Sequence, residues 1–76
     1  MDLDLAFSKH ANERMWQRNI TLEDIANTLE SPRAVRDGQT AIEYDGVTED
    51  GRPFRLVIAK GSNPPKVITV EEIWES

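Results

Sequence analysis

The chain has no cysteine and a single histidine among its 76 residues. The first absence excludes a disulfide framework, and the two together exclude a conventional zinc site. A stable fold must therefore come from packing or from a partner. Long apolar runs are also missing: the longest, such as Leu56 to Ala59 and Val67 to Val70, are strand-sized, far below the roughly 20 residues that span a bilayer. The opening Met1-Asp2-Leu3-Asp4 is acidic and lacks the basic region and apolar stretch of a signal peptide. The expected location is the cytoplasm, with no membrane partner. Glycine is sparse too, and Gly38, Gly46, Gly51 and Gly61 are too widely spaced for a phosphate-cradling loop. One histidine and scattered acids supply no Ser-His-Asp order, and Glu71-Glu72 would point to opposite faces of a strand rather than form an acid/base pair. The sequence asks for no metal and no cofactor.

What is present fits one small domain over residues 1–76, since a chain this short supports one modest core. The formal net charge is −5, which argues against a generic polyanion binder. The charge is segregated, however. Lys9, Arg14 and Arg18 stand against Glu13 alone in residues 8–20, and Arg52, Arg55, Lys60 and Lys66 occupy a stretch free of acids, residues 52–66. If those two segments meet in space, an acidic protein carries a basic stripe.

Ser8 is a good N-cap, and the helix formers after it predict a helix over about 9–18, ended at Asn19-Ile20. Thr21-Leu22-Glu23-Asp24 resembles a capping box with Asp in the place of Glu and opens a second helix that Pro32 ends. The rest reads as strands near 33–36, 40–48, 53–60 and 66–74, punctuated by Asp-Gly pairs at 37–38, 45–46 and 50–51 that suit tight hairpins. The predicted fold is α+β: two N-terminal helices packed on a three- to four-stranded antiparallel meander. Shared faces give an expected core of Leu22, Ile25, Leu29, Ile42, Leu56, Ile58, Ile68 and Val70. Alternation turns Arg55, Val57 and Ala59 away from the face that Phe54, Leu56 and Ile58 share, and sets Val67, Thr69 and Glu71 opposite Ile68 and Val70.

His10, Arg14 and Arg18 recur at i, i+4 and i+8 on the first helix, with Gln17 beside them. A histidine flanked by guanidinium groups can move a proton near neutral pH while the arginines hold a phosphate. An amphipathic helix also carries such a charged face with no chemistry in it. Arg55 and Thr69 are the sheet candidates, because Arg55 interrupts an otherwise apolar strand; its plain alternative is a cross-strand ion pair with Glu43. Tyr44 offers a phenol at an edge. Trp16 and Trp74 are able to stack on bases, although large aromatics in so small a domain more often serve a core or an interface.

Ser8-Lys9-His10-Ala11-Asn12-Glu13-Arg14-Met15, with Gln17-Arg18-Asn19-Ile20 and Glu23-Asp24-Ile25, resembles the opening of the bacterial family known as domain of unknown function 4258. Its hallmark is a His-Ala-x-x-Arg-Met-x-x-Arg helix, a short acidic helix and a sheet. The stretches Thr48 to Pro53, Arg55 to Ala59 and Val67 to Val70 resemble that family's hairpin and last strand. The family is similar in layout to the RelE, barnase and colicin-type ribonuclease toxins. The resemblance implies a metal-independent endoribonuclease or toxin-like domain of a toxin–antitoxin system. His10 would then act as acid or base, Arg14 and Arg55 would stabilise the phosphorane charge, and Thr69 would orient a phosphate oxygen. Lys9, Arg18, Arg52 and Lys60 would hold RNA, and an antitoxin or a second copy would be the protein partner. Such toxins are commonly basic and this chain is acidic. The rival expectation is a non-enzymatic protein-binding or regulatory module that uses the same helix face or an exposed sheet edge.

Overall fold

The computed structural model describes residues 5–73. Its elements run β1 (Ala6–Phe7), α1 (Lys9–Arg18), α2 (Leu22–Glu30), β2 (Ala34–Asp37), β3 (Ala41–Val47), β4 (Pro53–Ala59) and β5 (Lys66–Glu72). The strands form one sheet in the order β1-β5-β4-β3-β2. The fold is α+β, with α1 lying over β5 and α2 over β3.

Both helices form for local reasons. The Ser8 hydroxyl accepts a hydrogen bond from the Ala11 N–H at 3.0 Å and donates to the Ile68 carbonyl at 2.6 Å, so it caps α1 and ties it to β5. Asn19 ends α1 in the left-handed region, at φ 53° and ψ 48°. At α2 the capping box is complete, because Thr21 Oγ1 accepts from the Asp24 N–H and Asp24 Oδ2 accepts from the Thr21 N–H, each at 3.1 Å.

The sheet departs from the predicted antiparallel meander of three or four strands. It has five strands and is mixed, since Ala6 and Phe7 pair in parallel with Lys66 and Val67. Two residues leave no periodicity to read, and their partners are some 60 positions away, as in Ala6 opposite Lys66. The three antiparallel ladders between β2 and β5 follow the chain order as expected. The last strand ends at Glu72, and Trp74 lies outside the described residues.

The core joins α1, α2 and one sheet face through Ala11, Ile20, Ile25, Phe54, Leu56, Ile58, Val67 and Val70. Leu29 and Tyr44 pack against it while remaining half-buried. Four expectations need correction. Leu22 is 55% exposed and Ile68 40% exposed, so neither belongs to the core, and Ile42 is only half-buried. Ile68 is displaced by a bulge: Val57 pairs with Thr69 and Ile58 with Val67, which leaves Ile68 as the extra residue. The bulge puts Val67 and Val70 on the same buried face, where strict alternation would separate them. The fourth correction is the Asp45-Gly46 pair, which is no turn. Gly46 lies within β3, and a Cβ there would sit 2.0 Å from Thr28 Oγ1, so glycine is what lets α2 approach the sheet.

Candidate functional site

The helix candidates lie on α1. His10 and Lys9 are exposed, Arg14 and Arg18 are half-buried, and none of the four takes part in an ion pair among the described residues. At about 100° per residue, Arg14 falls about 60° to one side of Ala11 and Met15 about 40° to the other. Ala11 is fully buried and Met15 packs on the core. The flank with Met15 therefore turns toward the core that α2 shares, and His10 and Arg14 lie on the other flank, toward the outer edge of β5, with Arg18 about 20° from Ala11 on that same side and nearer the sheet. Trp16 is 88% exposed, so it is not a core residue. It borders a shallow cleft of about 330 Å³ with Asn12, Met15 and the residues leading into α2.

The sheet candidates lie on the other side. Leu56 and Val70 face the helices in the core, so the pleat turns their neighbours Arg55 and Thr69 to the opposite face. That face carries no helix among the described residues. Arg55 is engaged there: its Nε donates to Asp45 Oδ1 at 2.9 Å and lies 3.7 Å from Glu43 Oε1. Arg36 adds to the same network, 2.7 Å from Asp45 Oδ1 and 3.0 Å from Glu43 Oε1. The Arg55 guanidinium, joined by Arg36, holds the Asp45 carboxyl below its usual range against the opposing effect of burial. The Thr69 hydroxyl is buried and finds no hydrogen-bond partner among the described residues. His10 and Arg14 thus stand on one side of the sheet, and Arg55 and Thr69 on the other.

The remaining cations of the acid-free stretch also have partners. Arg52 Nη1 donates to the Arg18 carbonyl at 2.5 Å and to Glu72 Oε1 at 3.1 Å, while Nη2 donates to the Asn19 carbonyl at 3.0 Å. Its Nε meets Asp50, whose carboxyl the Thr48 hydroxyl and Arg52 together hold below the usual range. Arg52 is a C-terminal cap for α1. Lys60 pairs with Asp37. Tyr44 is no edge phenol, because β3 is an interior strand and the ring packs against the core.

Sequence reasoning overlooks Asp24, which is 5% exposed. Its Oδ2 caps α2, and its Oδ1 accepts from the Glu49 N–H at 3.0 Å, which fixes the β3–β4 loop beside the start of the helix. The capping-box pattern reveals the first role; nothing local reveals the second. Among the described residues no group of three or more His, Asp or Glu side chains converges to hold a metal, and no helix is long and apolar enough to cross a membrane.

Residues 7–72 match the model of a family described as a domain of unknown function (DUF4258), and the chain belongs to that family. No curated protein and no solved structure matches the chain.

Proposed function

We propose that this member of the DUF4258 family is a protein-binding module that performs no chemistry of its own and presents α1 to its partner. One observation carries the reading: His10 and Arg14 are separated by the sheet from Arg55 and Thr69. Attack of a 2′-hydroxyl on a phosphate needs proton transfer and charge stabilisation at the same atoms. Arg55 is across the sheet from His10 and neutralised by Asp45 and Glu43. Lys9, Arg14 and Arg18, in no ion pair among the described residues, lie together on α1, where they suit recognition rather than the completion of a four-residue site.

A second reading keeps the toxin-like ribonuclease. His10 and Arg14 alone, on adjacent turns and outside every ion pair among the described residues, support it. In that reading Lys9 and Arg18 contact RNA, whereas Arg52 and Lys60 are tied to Asp50, Glu72 and Asp37. Controlled expression in a bacterial host, with growth followed, separates the two. The module reading expects growth unaffected by wild type or by His10→Ala. Growth arrest by wild type that His10→Ala relieves, at equal protein level, overturns it.

A further inference from the structure

Among the described residues the edge of β5 is covered only at its start. β1 pairs with Lys66 and Val67, the Ser8 hydroxyl takes the Ile68 carbonyl, and the chain then turns away into α1. From Thr69 to Glu72 no strand lies outside β5 among the described residues. An open strand edge presents a row of backbone donors and acceptors that a further strand can pair with.

This edge differs from the one at β2. There Arg36 is tied to Glu43 and Asp45, and Asp37 to Lys60, so the charges are already matched. Beside β5 they are not. The flank of α1 turned to this edge carries His10, Arg14 and Arg18, none of them in an ion pair among the described residues. The acid on the helix side of β5, Glu72, is neutralised by Arg52. On the other side Glu71 is exposed and lies opposite Arg55 in the ladder.

We infer that the Thr69–Glu72 edge of β5 takes an extended acidic segment of a protein partner as an added strand. The inference rests on the module reading and names its partner's chemistry. Backbone pairing supplies the docking, and alternation supplies the selectivity. Side chains of the added strand that point to the helix side meet Arg14 and Arg18, so acids belong there. Those on the other side meet Thr69 and Glu71, so uncharged residues belong there. The recognised pattern is acidic at every second position.

The test is an NMR titration of the intact chain with a short synthetic peptide of alternating glutamate and valine, against the same peptide with lysine for glutamate. The inference predicts that the glutamate peptide shifts the amides of Thr69–Glu72 and of α1, slows hydrogen exchange along that edge, and that the lysine peptide does neither. Arg14→Glu with Arg18→Glu should weaken the glutamate peptide about tenfold, with a dispersed spectrum as the check on folding. The two-peptide comparison on wild type decides the matter even if that variant does not fold. Equal binding of both peptides, no binding of either, or shifts confined to β2 overturns the inference while leaving the module reading intact. Shifts of the same amides by oligouridylate in place of the peptide overturn it also. RNA turnover, or the growth arrest described above, removes the module reading itself.

Discussion

Arg55 and Asp45 stand directly opposite each other on β4 and β3, with Arg55 Nε 2.9 Å from Asp45 Oδ1. The pair neutralises the one arginine that interrupts the apolar run of β4, and Arg36 closes on the same carboxylate from β2. Three strands are thereby linked on the face away from the helices.

Acid stability should report this linkage. The Asp45 carboxyl is held below its ordinary value of 3.8 chiefly by Arg55. A depressed carboxylate contributes stability above its unfolded value, and that contribution is lost as pH falls through the folded one. Asp45→Asn should therefore lower the urea midpoint at neutral pH, and the gap to wild type should close as pH drops below about 4. A gap of constant size over that window would show that the carboxylate charge contributes nothing.

Arg52 ties α1 to the end of the sheet through the carbonyls of Arg18 and Asn19 and through Glu72. Arg52→Ala should cost about 1–3 kcal/mol, the scale of hydrogen bonds to a charged group. Equilibrium urea unfolding measures it. The loss should fray the last turn of α1, seen as faster amide exchange near Arg18 than near Lys9.

Gly46 and Thr28 should be energetically coupled. An added Cβ at Gly46 would lie 2.0 Å from Thr28 Oγ1, so Gly46→Ala should cost about 1–3 kcal/mol by overpacking. Removing the obstructing side chain makes room, so the double variant with Thr28→Ala should be more stable than the sum of the single losses requires. Additive losses in a double-mutant cycle would mean that α2 shifts freely over β3.

The core assignment separates two residues of similar character. Phe54 is fully buried, and Phe54→Ala should cost about 3–5 kcal/mol. Ile68, lifted out by the bulge, should lose less than about 1 kcal/mol on change to Ala. Comparable losses in thermal or urea unfolding would place Ile68 in the core after all.

Much of this fold is legible because its signals are local. The Ser8 cap, the Thr21-Asp24 box and Pro32 each act within a turn or two, and the helix bounds follow from them. β1 is invisible since its two residues owe their conformation to Lys66 and Val67 at the other end of the chain. The exchange of Ile68 for Val67 in the core comes from a bulge that period-two reasoning has no means to foresee. Gly46 is misread as a turn because an Asp-Gly pair carries the same letters whether its glycine serves a positive φ or a close approach. The cationic stripe on α1 is legible, as helical spacing alone places it. The separation of Arg55 from His10 follows from the alternation that turns Arg55 away from Leu56, once both helices are assigned to the Leu56 face. What spacing does not give is the partner: the sequence offers Glu43, and the structure adds Asp45 at the shorter distance.

Whether His10 does chemistry separates a binding module from an enzyme. The direct measurement is turnover of a mixed-sequence RNA by the purified chain from mildly acid to mildly alkaline pH, for wild type, His10→Ala and Arg55→Ala. The module reading predicts no cleavage above background by any of the three. Cleavage by wild type that falls by about 10²-fold or more in His10→Ala, as loss of a general acid or base would cause, with an unchanged unfolding midpoint, would contradict it.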